Sequence, residues 1–255
     1  QNPIGRSSRS NPVTYIKAFD DIRTLFASLN ISKNRNYQPK HFSFNVDGGR
    51  CDHCKGEGVI TIEMQFMADV VLECENCNGK RFKKEVLEVK FKDVNIDKLL
   101  KMTVDDAIDF FTTSSQNKII QKLQPLQDVG LGYITLGQSS ATLSGGEAQR
   151  IKLASFISQG ASKEKILFIF DEPTTGLHFH DIKKLLTSFD ALIEKGHSIV
   201  VVEHNMDLIK CADHLIDLGP EAGENGGYLV GQGTPEEISK LKKSYTGRYL
   251  AEKLK

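Results

Sequence analysis

The chain is 255 residues long and balances 33 basic side chains against 33 acidic ones, a formal net charge of zero. That length supports a sizeable core and one or two domains, and the balance excludes a global basic field, so any nucleic-acid surface is local. No apolar run is long enough to span a bilayer and no secretory leader opens the chain, which predicts a cytoplasmic protein with no membrane partner.

In chain order, residues 1–12 are rich in turn formers and basic side chains and read as loop. They begin without an initiator Met, as a piece of a longer polypeptide would. Tyr15, Ile16, Phe19, Ile22, Phe26 and Leu29 then recur at helical spacing and predict one helix. The polar, basic stretch from Ser32 to Lys40 reads as a linker or surface loop.

Four of the five cysteines form two C-x-x-C pairs, Cys51 with Cys54 and, after a gap of 19 residues, Cys74 with Cys77. An odd total with paired spacing favours a metal site in a reducing compartment over a disulfide framework. Four thiolates so spaced suit tetrahedral Zn2+. The glycines in Cys54-Lys55-Gly56-Glu57-Gly58 and Cys77-Asn78-Gly79-Lys80-Arg81 let backbone N–H groups approach the sulfurs. A thioredoxin-like redox pair, or free thiols, would leave the second pair unexplained. Between the pairs, Val59 to Leu72 alternates and is β-rich, predicting a hairpin with Phe66 and Met67 near its tip. Arg50, Lys55, Lys80, Arg81, Lys83 and Lys84 flank it and suit phosphate binding or, equally, a solvated face. Cys211, among Ile209, Ala212 and Leu215, reads as a small core residue.

Val86, Leu87, Val89, Phe91 and Val94 predict a strand leaving the cysteine module. Thr103, with Asp106 at capping-box spacing, starts a helix carrying Val104, Ala107, Ile108 and Phe111. A second helix carries Ile119, Ile120, Leu123 and Leu126, and Pro125 should kink or end it.

Two motifs follow. Leu143-Ser144-Gly145-Gly146-Glu147-Ala148-Gln149-Arg150 reads as a helix start. Ser144 and Glu147 have capping-box spacing, and the glycines let phosphate reach the exposed N–H groups at the positive helix end. Ile166 to Phe170 is a short apolar run closed by Asp171 and Glu172, as expected of a buried parallel strand whose terminal acids face a ligand crevice. One acid suits a hydrated Mg2+ and the other an attacking water. A helix from Asp181 to Lys195 and a second buried strand from Ser198 to Val202, ending in Glu203-His204, complete a βαβ unit. Two further strands, around His214–Leu218 and Tyr228–Gly233, lead to a helix start at Thr234-Pro235.

The Ser144–Arg150 and Ile166–Glu172 motifs resemble the signature motif and Walker B strand of ABC-type ATPases, and His204 matches their switch histidine. The C-x-x-C-x-G-x-G and C-x-x-C-x-G-x-R pairs, the approach from Leu131 to Leu143 and Asp217-Leu218-Gly219-Pro220 extend the likeness over nearly the whole chain. Together they resemble the UvrA family of damage-recognition ATPases in bacterial nucleotide excision repair. The resemblance implies that Ser144, Gly145 and Gly146, with Glu147 in the same motif, face the γ-phosphate of ATP held by an opposite nucleotide-binding domain. It also implies that Asp171 serves Mg2+, Glu172 polarises the water, His204 contacts the γ-phosphate and Gln1 is the Q-loop glutamine. His178, where transporter ATPases usually carry Asp, favours the repair family.

The implied cofactors are structural Zn2+ and ATP or ADP with Mg2+. The implied partners are damaged double-stranded DNA, the nuclease-complex proteins of excision repair and, in the full-length form, a second copy. The expected fold is α/β: an ABC-type ATPase core with a parallel sheet and flanking helices, an inserted helical signature subdomain and a zinc-bound β-hairpin module. Its expected divisions are a Q-loop segment with a signature-subdomain helix (1–45), the zinc hairpin (46–92), the helical signature subdomain (93–160) and the Walker B and switch-histidine part (161–255). One departure stands out: the chain contains no G-x-x-x-x-G-K-[ST], so it lacks the P-loop cradle and is expected to hydrolyse ATP only when complemented by one. A transporter ATPase subunit and a degenerate zinc-bearing DNA-binding module are the alternatives. The cysteine pairs argue against the first, and the intact Glu172 and His204 against the second.

Overall fold

In the computed structural model, which describes residues 9–62, 64, 69–158, 164–221, 223 and 226–254, the chain divides into two units, Gln1–Ser162 and Lys163–Lys255. In the first, Lys17 adopts left-handed backbone (φ 61) and splits the expected single helix into α1 (Pro12–Tyr15) and α2 (Ala18–Ser28). Asn11 caps α1 by accepting from the Thr14 N–H at 2.9 Å, and Pro12 fits the first turn because it needs no N–H partner there. The expected linker is structured instead: α3 (Asn30–Asn34) and a 3-10 turn (Pro39–Phe42) follow, and the buried Ser32 hydroxyl donates to the Phe26 carbonyl at 2.7 Å. Phe42 packs on Phe26 and Phe44 on Phe19, with ring centroids 5.5 Å apart in each pair. Phe82, 6.0 Å from Phe44, carries this buried aromatic row to the exit of the cysteine module.

The hairpin is as expected: β1 (Val59–Ile62) pairs antiparallel with β2 (Val70–Glu73), Val59 opposite Glu73. Its tip, with Phe66 and Met67, lies outside the described residues. The strand expected over residues 86–94 is replaced by α4 (Lys84–Leu87) and a short hairpin of β3 (Lys90–Phe91) and β4 (Val94–Asn95). Val86 and Val89 are both buried at helical spacing, and Lys92 and Asp93, at φ 48 and 63, supply the left-handed pair that reverses the chain. Asn95 caps α5 (Ile96–Leu100). Then α6 (Val104–Thr112) opens with the expected reciprocal capping box of Thr103 and Asp106. α7 (Asn117–Asp128) runs through Pro125 to a close at Gly130 (φ 77), because a proline so near the end forfeits little of the helical ladder. α8 (Gly145–Ser158) packs on α7 and α1.

In the second unit, β5 (Leu167–Asp171), α9 (Phe179–Glu194) and β6 (Ser198–Val202) form the expected βαβ, with the strands parallel and Asp171 opposite Val202. α9 covers one face of the pair, setting Phe189 4.9 Å from the Phe170 ring. Both strands are expected from their sequence to be fully buried, yet on the other face Ile169 is 70% and Leu167 57% exposed, since a helix backs only the first. After α10 (Met206–Ile209) come β7 (Leu215–Gly219) and β8 (Tyr228–Gly233), paired antiparallel. α11 (Pro235–Ile238) is capped reciprocally by Thr234 and Glu237. α12 (Tyr245–Lys253) is tied to β7 by Asp217, which accepts from the Ser244 and Thr246 hydroxyls at 2.6 and 2.9 Å. Cys211 is exposed rather than in the core; it ends the α10 turn, where its thiol donates to the Asp207 carbonyl at 3.4 Å.

Candidate functional site

The two C-x-x-C pairs converge. All four sulfurs lie within 4.8 Å of one another and all four cysteines are buried. The Cys51–Cys74 and Cys54–Cys77 sulfurs are 4.0 and 3.6 Å apart. Zn–S bonds of about 2.3 Å in a tetrahedron place sulfurs about 3.8 Å apart, so the donor set and its spacing fit Zn2+. The two halves are built alike. After each second cysteine, Lys55 or Asn78 turns left-handed (φ 50 and 48), and Gly56 or Gly79 follows at φ 86 or 69. Gly56 is obligatory, since a Cβ there would stand 2.0 Å from the Phe44 carbonyl oxygen. This turn points the Gly58 N–H at the Cys54 sulfur at 3.2 Å, and the Cys74 N–H reaches across to the Gly58 carbonyl at 2.9 Å. Burial pushes the Cys54 and Cys77 thiols up. Cys74 is also raised by burial, but N–H groups of Cys77 and Asn76 outweigh this and bring it below the ordinary thiol value.

The six flanking cations do not form one set. Lys55, Lys80 and Lys84 are exposed. Arg50 is ion-paired with Asp47 at 2.6 Å and Lys83 with Asp52 at 2.8 Å. Arg81 turns inward at φ 67, lies 5.2 Å from the Phe44 ring centroid and donates to the Gly137 carbonyl at 3.3 Å. Burial holds its pKa below the ordinary arginine value.

At the start of α8 the capping box forms in full: the Ser144 hydroxyl accepts from the Glu147 N–H at 3.2 Å, and Glu147 Oε2 accepts from the Ser144 N–H at 2.7 Å. Glu147 Oε1 is held by the Tyr133 hydroxyl at 2.6 Å, a partner that in the sequence shows only as part of the approach to the motif. Desolvation of the hydroxyl end of a ring that is otherwise half exposed, together with this bond, pushes the Tyr133 phenol up to about 12. Burial raises Glu147 as well, but the hydrogen bonds from Tyr133 and Ser144 win and hold it below the usual carboxylate value. With Glu147 fixed to its own cap, exposed Ser144 and Gly145 stand at the positive end of a 14-residue helix, a geometry suited to an anion.

In the second unit β5 ends at Asp171, and Glu172 takes left-handed backbone (φ 47). Its N–H donates to the Val202 carbonyl at 2.8 Å, so the ends of β5 and β6 are stitched together. His204 Nε2 comes within 3.4 Å of Glu172 Oε1, both side chains being largely open to solvent. Glu203, beside His204 in the chain, shows in the sequence only as the acid that closes the second strand, with nothing to mark a role of its own. One of its oxygens accepts from the Thr174 N–H at 2.9 Å and from the Thr174 hydroxyl; the other accepts from the His204 and Asn205 N–H groups at 2.7 and 3.0 Å. Burial raises this carboxyl, and the four donors overcome that and lower it. Gln1 lies outside the described residues.

These observations define an α/β chain carrying two chemistries, a four-thiol cluster in one unit and an acid–histidine strand end in the other. No family model matches the chain. It is 56% identical, over 254 residues and its whole length, to UvrABC system protein A of Streptococcus pyogenes serotype M1 and, to the same degree, to that of Clostridium acetobutylicum. It spans 27% of the length of each of these relatives. The crystal structure of UvrA2 from Deinococcus radiodurans matches all of this chain, and 31% of that one, with a TM-score of 0.87 at 44% identity. The chain is therefore similar to about a quarter of a much longer protein.

Proposed function

We propose that this chain is a segment of a damage-recognition ATPase of bacterial nucleotide excision repair, and that it supplies the signature, Walker B and switch-histidine elements of an ABC-type core. The observation that carries this reading is the 56% identity along the entire chain to UvrABC system protein A. The order of Ser144–Arg150, Asp171-Glu172 and His204 supports it. A transporter ATPase is disfavoured by the buried four-cysteine cluster.

In this reading Glu172 orients and polarises the attacking water, and His204, 3.4 Å from that carboxylate, contacts the γ-phosphate. Asp171 would hold Mg2+, which when bound neutralises charge on the phosphates. Ser144, Gly145 and Gly146 offer N–H groups to the γ-phosphate of ATP seated on another nucleotide-binding domain, supplied by the rest of the polypeptide or by a second copy. Cys51, Cys54, Cys74 and Cys77 hold a structural Zn2+ that fixes the base of the hairpin. Lys55, Lys80 and Lys84, with the partly engaged Arg50 and Lys83, bind phosphates of damaged duplex DNA. Nuclease-complex proteins of excision repair are further partners of the full-length protein. Among the described residues no helix is long and apolar enough to cross a membrane, in keeping with a cytoplasmic site of action.

The test is made on the full-length protein that carries this segment. It should hydrolyse ATP and retard a lesion-containing duplex more than an undamaged one; failure of both would overturn the reading.

A further inference from the structure

Two loops carry the chemistry of the second unit: Glu172 to Thr175 after β5, and Glu203 to Asn205 after β6. The backbone bond from Glu172 to Val202 fixes where the strands end but not how the loops continue. The Glu203 carboxylate does that. One oxygen takes both donors of Thr174, two residues beyond Glu172, and the other takes the N–H groups of His204 and Asn205. Thr174 is 8% exposed, and its carbonyl accepts from the Leu177 N–H at 3.0 Å, so the clamp also holds the turn that follows. Asn205 is anchored in turn by capping α10, accepting from the Asp207 N–H at 2.9 Å.

We propose that Glu203 is a positioning residue whose carboxylate sets the separation of Glu172 and His204 by joining their two loops. The proposal rests on the ATPase reading above. Only an ionised carboxylate of this length offers acceptors on both sides. Glutamine would present an NH2 group to one pair of donors, and aspartate, one methylene shorter, would not span the loops. Glu203 itself touches none of the reacting atoms; it acts through Thr174 and the backbone of His204.

The experiment uses the full-length protein and compares wild type, Glu172→Gln, Glu203→Gln, Thr174→Val and the Glu203→Gln/Thr174→Val pair. Glu203→Gln is expected to lower kcat for ATP on the order of 10- to 100-fold, as misplacement of reacting groups by an ångström does, with KM for ATP within about twofold. The double variant should be no slower than Glu203→Gln alone, because both changes break one clamp. Without nucleotide, amide hydrogen exchange should speed up in peptides covering residues 172–176 and 203–206 of Glu203→Gln and stay unchanged in β5 and β6. An unaltered kcat together with unaltered exchange would overturn the proposal. Should Glu203→Gln fail to fold, Thr174→Val carries the test, and wild-type kcat and exchange in that variant would overturn it equally. Absence of turnover in the wild type would instead indict the ATPase reading, since the exchange result does not depend on it.

Discussion

His204 Nε2 stands 3.4 Å from Glu172 Oε1, with the two side chains 82% and 53% exposed. A polar contact so open to water contributes little to stability. Glu172 also occupies a left-handed conformation (φ 47) that a non-glycine residue adopts at a cost. A strained, exposed acid aimed at a histidine at the end of a parallel strand is better explained by chemistry than by folding. In the full-length protein, Glu172→Gln should therefore retain nucleotide binding and lose turnover by roughly 100- to 10,000-fold, the range for removing a general base. Steady-state hydrolysis near the wild-type rate would remove Glu172 from the role. The 255-residue chain by itself has no P-loop motif and should show no measurable hydrolysis.

Some of this site is legible in the sequence because its determinants are local. The Ser144–Glu147 box spans one helical turn, and each C-x-x-C pair spans one knuckle, so spacing alone reports the geometry. What escapes a sequence depends on positions far apart in the chain. Tyr133 meets Glu147 across 14 residues, and Thr174 meets Glu203 across 29, the second only because the parallel register brings both strand ends together. By charge alone Arg81 belongs with its basic neighbours, whereas its φ of 67, which turns it under Phe44, leaves no mark in the sequence. Pro125 gives a stop signal that α7 passes, because burial of Leu123 and Leu126 on either side outweighs one forfeited hydrogen bond.

The thiol cluster predicts stoichiometric zinc. Protein purified without chelator should release the ion when its thiols are modified, and Cys54→Ser should lower the zinc content and loosen the hairpin. A two-stranded hairpin is marginal by itself, and β2 is exposed along its whole length, so a zinc ion on the four thiols, rather than apolar burial of β2, is expected to hold its base. Purified protein with no zinc by elemental analysis would refute the assignment.

Tyr133 gives a pH dependence with a definite sign. Its phenol is pushed up to about 12 from 10.0, first by desolvation of the hydroxyl end of a half-exposed ring and then by the bond to Glu147. In the unfolded chain it ionises near its ordinary value, so stability drawn from this group is intact below pH 10. It drains away as pH rises toward the folded value. Tyr133→Phe should flatten this alkaline limb, and ultraviolet titration of the wild type should show one late phenolate that the variant lacks. If both proteins lose stability identically between pH 10 and 12, the Tyr133–Glu147 hydrogen bond is not formed in solution.

Exposure separates the cations that can meet DNA from one that is held within the fold. Lys55, Lys80 and Lys84 are exposed around the cysteine module, where a phosphate can approach them without displacing a partner in the fold. Arg81 is committed to Phe44 and to the Gly137 carbonyl, and so belongs to the packing that joins the module to the approach to α8. Neutralising the three lysines together in the full-length protein should weaken binding to damaged and undamaged duplex alike. The plot of log affinity against log salt should become shallower by about 0.9 for each phosphate that a lysine no longer neutralises, because fewer counterions are released. Arg81→Gln should behave in the opposite way, lowering the melting temperature while leaving the salt slope unchanged. A triple variant with wild-type affinity and slope would make the lysines a solvated face; a shallower slope in Arg81→Gln would put that guanidinium on the DNA after all.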